Sequence, residues 1–320
     1  MIDIMSIALS ISVILVSAVI LSKSVKLFIG STSRIAYYFN ISEYTIGFLL
    51  VALATSLPEM VVGITSAAQK QTVLSFGDAM GSNIALLTIV LALPGLLGMN
   101  ISTKQIIKSS DIYYTAVFSL LALGLSFDGK ISRIDGVVLL VGYLIYTLAF
   151  LRRATPIKKL TRRKGKINIW KEVVLFVFSL SLLLLASEGI VGSALSISTL
   201  WGLKLSYVGL SITALGTSIP EIAFVIGETR ERNDDEIMGD IVGSVVANST
   251  LVLGVASVIY PVYTNGPLIS ISTSIALVII LTLFLIFAKT GRRIEKWESV
   301  ILLFLYFAFI LSEYFVQKLY

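Results

Sequence analysis

The chain has 320 residues, of which 56% are hydrophobic and only 14% charged, with a formal net charge of +6 and a mean hydropathy of +0.94. Soluble domains carry roughly 25% charged residues, so the composition predicts a multi-span membrane protein. Cysteine and histidine are both absent, which excludes disulfide frameworks, thiolate and imidazole metal sites and histidine acid–base chemistry; a bound metal must be held by oxygen.

A helix needs about 20 apolar residues to cross roughly 30 Å of hydrocarbon. Ten segments qualify in chain order: 3–22, 44–68, 73–98, 111–127, 134–151, 172–190, 205–227, 237–260, 268–288 and 298–316. The expected fold class is therefore all-α and polytopic, with ten transmembrane helices. The first segment has a weakly charged flank and no small-residue cleavage pattern, so it reads as a retained helix and not as a signal peptide.

Of the 25 basic residues, 20 fall in the loops after spans one, three, five, seven and nine. This bias places those loops in the cytoplasm and both termini outside. The longest basic run, "RRATPIKKLTRRKGKINIWK" from Arg152 to Lys171, divides the chain into 1–151 and 172–320. Carrying the inside charge explains this linker, together with nonspecific contact with anionic lipid; no nucleic-acid partner is expected. Trp170, Trp201 and Trp297 lie beside span ends and read as interfacial anchors. Glu188 reads as a helix-end charge or a gate. The acidic loop "GETRERNDDEIMG" (227–239) lacks the alternating ligand spacing of an EF-hand, and no GxxxxGK[ST] motif marks a nucleotide-driven pump.

The halves repeat. "ALATSLPE" (52–59) returns as "ALGTSIPE" (214–221), and "GDAMGSNIAL" (77–86) as "GDIVGSVVAN" (239–248), both displaced by 162 residues. The same displacement relates Gly30 to Gly192, Gly47 to Gly209 and Thr88 to Thr250. Each half holds five spans, so the second starts on the opposite side of the membrane, and the repeats are expected to be inverted. Inverted repeats with interrupted helices are a recurrent design of secondary transporters, whose substrate site lies near the midplane.

Each repeat places a glutamate directly after a proline inside an apolar span. Proline removes a backbone donor, and the freed carbonyls, expected near Ala52 and Ala214, are tolerable in a membrane where they line a cavity or meet an ion. Glu59 and Glu221 have no Lys or Arg in their spans, and an intramembrane carboxylate points to an ion site. Thr55 shares a helical face with Glu59, with Ser56 beside it, and Thr217, Ser218 and Glu221 repeat the arrangement. Asp78 and Ser82 are four apart, as are Asp240 and Ser244. Gly77, Gly81, Gly239 and Gly243 bare these helices for close approach to the Pro-Glu helices. Back-bonding to helix carbonyls is the competing role for the hydroxyls, and interfacial capping that for Asp78 and Asp240.

Carboxylates, hydroxyls and carbonyls suit Ca²⁺, which takes six to eight oxygens in adaptable geometry, better than Mg²⁺ or a transition metal. Four carboxylates at low dielectric require neutralisation by a divalent ion, by Na⁺ or by protons. That property fits an exchanger, with no resident cofactor. A channel using the same oxygens is the rival, although selective pores normally rely on symmetric, multi-site binding.

On "ATSLPE" and "GTSIPE", "GDAMGS" and "GDIVGS" and the ten-span layout, the sequence resembles the cation/Ca²⁺ exchanger superfamily and its prokaryotic Na⁺/Ca²⁺ exchanger-like branch, over essentially the whole chain. The resemblance implies Ca²⁺/Na⁺ antiport in a prokaryotic cell membrane, by a single chain among lipids. It implies ion-binding roles for Thr55, Ser56, Glu59, Ser82, Thr217, Ser218, Glu221 and Ser244, and a sliding gate formed by spans one and six. Sodium-coupled members usually carry Asn and Asp one turn after the motif serines, where this chain has Leu86 and Asn248. Asp78 and Asp240 stand one turn before them, where Asn is more usual. Relocated carboxylates leave both Na⁺/Ca²⁺ and H⁺/Ca²⁺ exchange open.

Overall fold

The computed structural model describes residues 4–38, 56–104, 111–153, 168–264 and 267–319. Eleven helical segments make up most of it. They are α1 (Ile4–Tyr38), α2 (Leu57–Ala68), α3 (Thr72–Leu96), α4 (Asp111–Leu125), α5 (Arg133–Arg153), α6 (Ile169–Trp201), α7 (Leu205–Thr217), α8 (Ile219–Glu231), α9 (Asp234–Ile259), α10 (Pro267–Thr290) and α11 (Lys296–Leu319). Among the described residues seven helices are long and apolar enough to span a membrane, or eight when α7 and α8 count as one bent span; α2 and Ile112–Leu125 are shorter apolar helices. Of the expected second span (44–68), residues 44–55 lie outside the described residues, as does 154–167 of the basic linker.

Two spans run much longer than their apolar cores predict. The first, expected over 3–22, continues to Tyr38, and the sixth, expected over 172–190, runs from Ile169 to Trp201. At 1.5 Å per residue each is about 50 Å long. In α1 no proline intervenes after the hydropathy falls, and Val25 remains buried while Lys23 and Lys26 turn outward, so an amphipathic stripe carries the helix on. Lys23, Lys26 and Arg34 are therefore helical residues, not loop residues. In α6 the Asn168 side chain accepts a hydrogen bond from the Lys171 amide at the start, and Gly202 ends the helix at φ 63°, a left-handed stop that glycine adopts without a Cβ penalty.

The seventh span is not one straight helix. α7 and α8 meet at Ser218 with a bend of 43°. Pro220 fits the first turn of α8, where an N–H is unneeded, and ends α7 by depriving a preceding carbonyl of its donor. Ser56, before Pro58, has φ −87° and ψ 6°, nearly the values of Ser218, −80° and 4°.

Helices α3 and α9 form the centre, with 83% and 78% of their spans buried against 28% for α5, α6 and α11. Phe76, Met80, Ile84, Leu87, Ile241, Val245 and Leu253 pack in this core. Around it, α1 runs antiparallel along α6, with Phe28 and Phe176 rings 5.0 Å apart and Arg34 Nε 2.7 Å from Glu172 Oε2.

Short strands join the two halves. β1 (Ile101–Ser102) pairs antiparallel with β4 (Arg293–Ile294), and β2 (Lys130–Ile131) with β3 (Val262–Tyr263). Beside them the Thr103 amide donates to Arg292 O at 2.9 Å, and the Thr264 amide to Gly129 O at 3.1 Å. Helix starts match too: Asp135 accepts from the Ser132 amide and Glu298 from the Glu295 amide, both at 2.8 Å. Each contact in one half thus has a counterpart in the other with the partners exchanged.

Candidate functional site

Glycines bring the site helices together. A Cβ at Gly77 would lie 2.6 Å from Ser206 O and 3.0 Å from the Gly209 Cα, and one at Gly81 would lie 2.7 Å from both the Ala214 Cβ and the Leu210 Cα. No side chain fits there, so α3 and α7 approach backbone to backbone. For Gly239 and Gly243 nothing among the described residues comes within 4 Å; the segment that corresponds to α7 in the first half, 43–55, is not described. Ala52 and Thr55 lie in that segment.

Across this seam four of the expected residues meet. Thr217 Oγ1 is 3.1 Å from Asp78 Oδ1 and 3.3 Å from Ser82 Oγ, and Ser82 Oγ is 3.4 Å from Ala214 O. The Thr217 hydroxyl also lies 3.2 Å from Thr213 O and 3.3 Å from Ala214 O, so one hydroxyl sits among two carbonyls, a carboxylate and a second hydroxyl. The Ala214 carbonyl is not the orphan that Pro220 creates. It keeps the Ser218 amide at 3.1 Å, and the carbonyl four residues before the proline is that of Gly216. Ala214 enters the site because the Gly81 seam presses it against Ser82.

Glu59 and Glu221 occupy the third positions of α2 and α8, at the positive end of each helix dipole. They are 0% and 1% exposed, and among the described residues their four carboxylate oxygens meet no donor at hydrogen-bonding geometry. Thr217 lies near Glu59, but its hydroxyl is directed at Asp78. The charges of Asp78 and Asp240 reach Glu59, and those of Glu59, Asp240 and Asp78 reach Glu221. Ser56 and Ser218, at the two helix breaks, are buried, with no partner for their hydroxyl oxygens among the described residues. Ser244 and Asn248 are buried on α9, the Asn248 amide with neither atom partnered among the described residues, whereas Asp240 is only half-buried.

Among the described residues no three acidic side chains are gathered closely enough to hold a metal ion by themselves. Asp78 has the Thr217 hydroxyl as its partner, and that hydroxyl lies beside Ser82 Oγ and the Ala214 carbonyl, which gives a mixed oxygen set. Glu188 stands in the middle of the long α6 with Gln69 Nε2 3.4 Å away, so it is not a helix-end charge. Among the described residues the atoms nearest a Cβ at Gly30 belong to its own helix's Arg34, and none comes within 4 Å of one at Gly192.

Two features escaped the sequence pattern. Asn83, beside Ser82, donates to Ser249 Oγ at 2.7 Å, and Ser249 lies 3.4 Å from Ser119 Oγ, a buried link from α3 through α9 to α4. Helices α3, α7 and α9 each contain one π-helical turn, at Leu86–Val90, Gly209–Thr213 and Asn248–Val252. The repeat of Thr88 as Thr250 was the available signal: in each π turn a threonine, Thr88, Thr213 or Thr250, donates to the carbonyl four residues back.

A broken helix bearing buried carboxylates, set against a glycine-bared helix in a lipid-facing bundle, is the architecture of an ion-translocating secondary transporter. Residues 9–152 and 171–315 match the family model described as sodium/calcium exchanger protein, and the chain belongs to that family. It is a transporter and not an enzyme. The chain is similar to the proposed antiporter CaxA of Alkalimonas amylolytica, 30% identical over 91% of this chain and 94% of that one. It is 23% identical to the sodium/calcium exchanger MaX1 of Methanosarcina acetivorans, over 95% and 98%. A solved structure of the sodium-calcium exchanger NCX_Mj, soaked with Na⁺ and Ca²⁺, superposes with a TM-score of 0.64 at 26% identity, covering 95% of this chain and 98% of that one.

Proposed function

We propose that this chain exchanges Ca²⁺ for Na⁺ across a prokaryotic cell membrane by alternating access. Ten spans form two inverted five-helix repeats, 1–151 and 172–320, joined by the cytoplasmic linker 152–171, with both termini outside, as a monomer among lipids. The observation that carries the reading is the pair of buried carboxylates, Glu59 and Glu221, without a hydrogen-bond donor among the described residues, near the Thr217, Ser82 and Ala214 oxygens. A cation taken there has Glu59 and Glu221 as central charges, with Ser56, Thr217, Ser218 and the Ala214 carbonyl as further oxygens. By the repeat, Ala52, Thr55, Asp240, Ser244 and Asn248 supply the other half of the site.

The topology is supported by contacts between helix ends. β1 with β4, Ser102 with Asp234 and Arg34 with Glu172 all join segments that the basic residues assign to the cytoplasm. β2 with β3, Thr72 with Pro261 and Lys204 with Gln317 all join segments assigned outside. The exchanged partners of the two strand pairs are what a twofold axis in the membrane plane produces.

Proton coupling is the second reading, favoured by Leu86 at a position where sodium-coupled relatives carry an amide, and by Asp78, a buried carboxylate held by Thr217. Reconstituted vesicles with clamped voltage and independently varied Na⁺ and pH separate the two. Exchange driven by Na⁺ at constant pH supports the first, and exchange driven by a pH gradient alone selects the second. Ca²⁺ flow without any counterion would sink both. Glu59→Gln and Glu221→Gln should each reduce Ca²⁺ exchange at least about a hundredfold, a loss of about 2.7 kcal/mol at 1.36 kcal/mol per decade, while the protein remains folded.

A further inference from the structure

Another buried carboxylate lies away from this site. Glu313 on α11 is 2% exposed, and Thr273 Oγ1 on α10 donates to its Oε1 at 3.3 Å. α11 packs against α10, the Leu86–Leu96 end of α3 and the start of α7. Around Glu313, α7 contributes Tyr207, whose ring is 6.0 Å from that of Tyr314; α10 contributes the hydroxyls of Ser272 and Thr273; and the packed end of α3 has no titratable residue. On α11 itself the charged and titratable neighbours are Tyr306, Tyr314 and Lys318. Lys318 Nζ sits 4.6 Å over the Tyr314 ring, and Lys289, at the far end of α10, sits 4.9 Å over Tyr113, so neither is placed as a counter-charge. Among the described residues Glu313 has hydroxyl neighbours and no ion pair.

One turn further on, Gln317 Oε1 accepts the Lys204 amide at 3.0 Å, which ties the end of α11 to the start of α7. α7 is the helix that presents Ala214 and Thr217 to Ser82. A carboxylate held in the span by hydroxyls alone needs a proton or an ion to become neutral, and a change of charge there bears directly on how α7 is seated.

We infer that Glu313 is a second, peripheral proton-binding site, opening to the side where α11 ends, whose protonation adjusts the seating of α7 and hence the rate of exchange. The proton is bound and released on one side and is not carried across. The inference takes from the proposed topology only that this side is the outside.

Infrared difference spectroscopy of the reconstituted protein across a pH titration reads this without transport. A titrating carboxylic C=O band is expected that is lost in Glu313→Gln, shifts in frequency in Thr273→Val and persists in Glu59→Gln and Glu221→Gln. In flux measurements Glu313→Gln should lose a component of the outer-pH dependence and Glu313→Asp should keep it. Unchanged carboxylic bands in Glu313→Gln overturn the site. A lost band with an unaltered outer-pH profile overturns its link to α7, and a response confined to inner pH overturns its placement. Failure of the Ca²⁺ exchange assignment would leave the infrared result intact.

Discussion

Gly81→Ala tests whether the backbone seam sets the geometry of the site. The new Cβ would lie 2.7 Å from the Ala214 Cβ and the Leu210 Cα, whereas carbon atoms rest about 3.5–4.0 Å apart, so α7 must retreat by about 1 Å. Ser82 Oγ is already 3.4 Å from Ala214 O and 3.3 Å from Thr217 Oγ1, and such a retreat carries both beyond hydrogen-bonding reach. Overpacking of this kind costs about 1–3 kcal/mol of stability. Misplacing two ligand oxygens should weaken Ca²⁺ binding at least about tenfold, or about 1.4 kcal/mol. Isothermal titration with Ca²⁺ on purified, monodisperse protein measures the affinity, and isotope flux in vesicles measures exchange. Gly192→Ala is the control: its Cβ meets no atom within 4 Å on an exposed helix face, and alanine is worth about 0.8–1 kcal/mol more than glycine in a helix. Wild-type affinity and flux in Gly81→Ala would refute the argument.

Asp78→Asn keeps an oxygen for the Thr217 hydroxyl and removes only charge, so folding should survive while the dependence of flux on Na⁺ and pH changes; an unaltered ion dependence would return Asp78 to a structural role. Asn248→Asp adds a carboxylate where both amide atoms are buried and unpartnered, and Na⁺-driven exchange should increase relative to pH-driven exchange; the reverse change would count against Asn248 as a ligand. Glu172→Ala breaks the bridge to Arg34, whose side chain is 42% exposed. Glu172 is 9% exposed, but with the arginine still reached by water the loss should stay at about 1 kcal/mol, visible as a small drop in Tm, and a much larger drop would show that the pair fastens α1 to α6.

The centre of the fold was the part most legible in the sequence. Strict motif spacing placed Asp78 and Ser82 on one face of α3, and Gly77 and Gly81, each directly before one of them, announced the contact with α7. Hydropathy misjudged α1 and α6 because it registers where lipid-like composition ends, while a helix ends only at a stop such as Gly202. Hydropathy alone does not register the bend at Ser218, but Pro220 announced the interruption of the seventh span. The carbonyl expected from the proline was displaced for a related reason: backbone chemistry marks Gly216, but close packing at Gly81 decides that Ala214 faces Ser82. The β1–β4 and β2–β3 pairs had no signal, being two residues each and defined only by what lies opposite.

The π turns connect these observations. Each inserts one residue into a helix at 3.6 residues per turn, rotating the C-terminal part of that helix by about 100° relative to its N-terminal part. In α3 and α9 the turn begins one helical turn after Ser82 and Ser244, at Leu86 and Asn248. In α7 it directly precedes Ala214. The faces that carry the candidate site residues are thereby set independently of the faces that pack the rest of the bundle. A widened turn weakens the carbonyl ladder, and Thr88, Thr213 and Thr250 return a donor to it, so the backbone can bend within the membrane without exposing bare polar groups to hydrocarbon. In α3 and α9 this backbone device is the same, while the side chains it carries differ: Leu86 against Asn248, and a buried Asp78 against a half-buried Asp240. Between α3 and α9 the asymmetry therefore resides in charge and side-chain type and not in the backbone, and under the proposed function those four positions are where substitutions should change the choice of counterion.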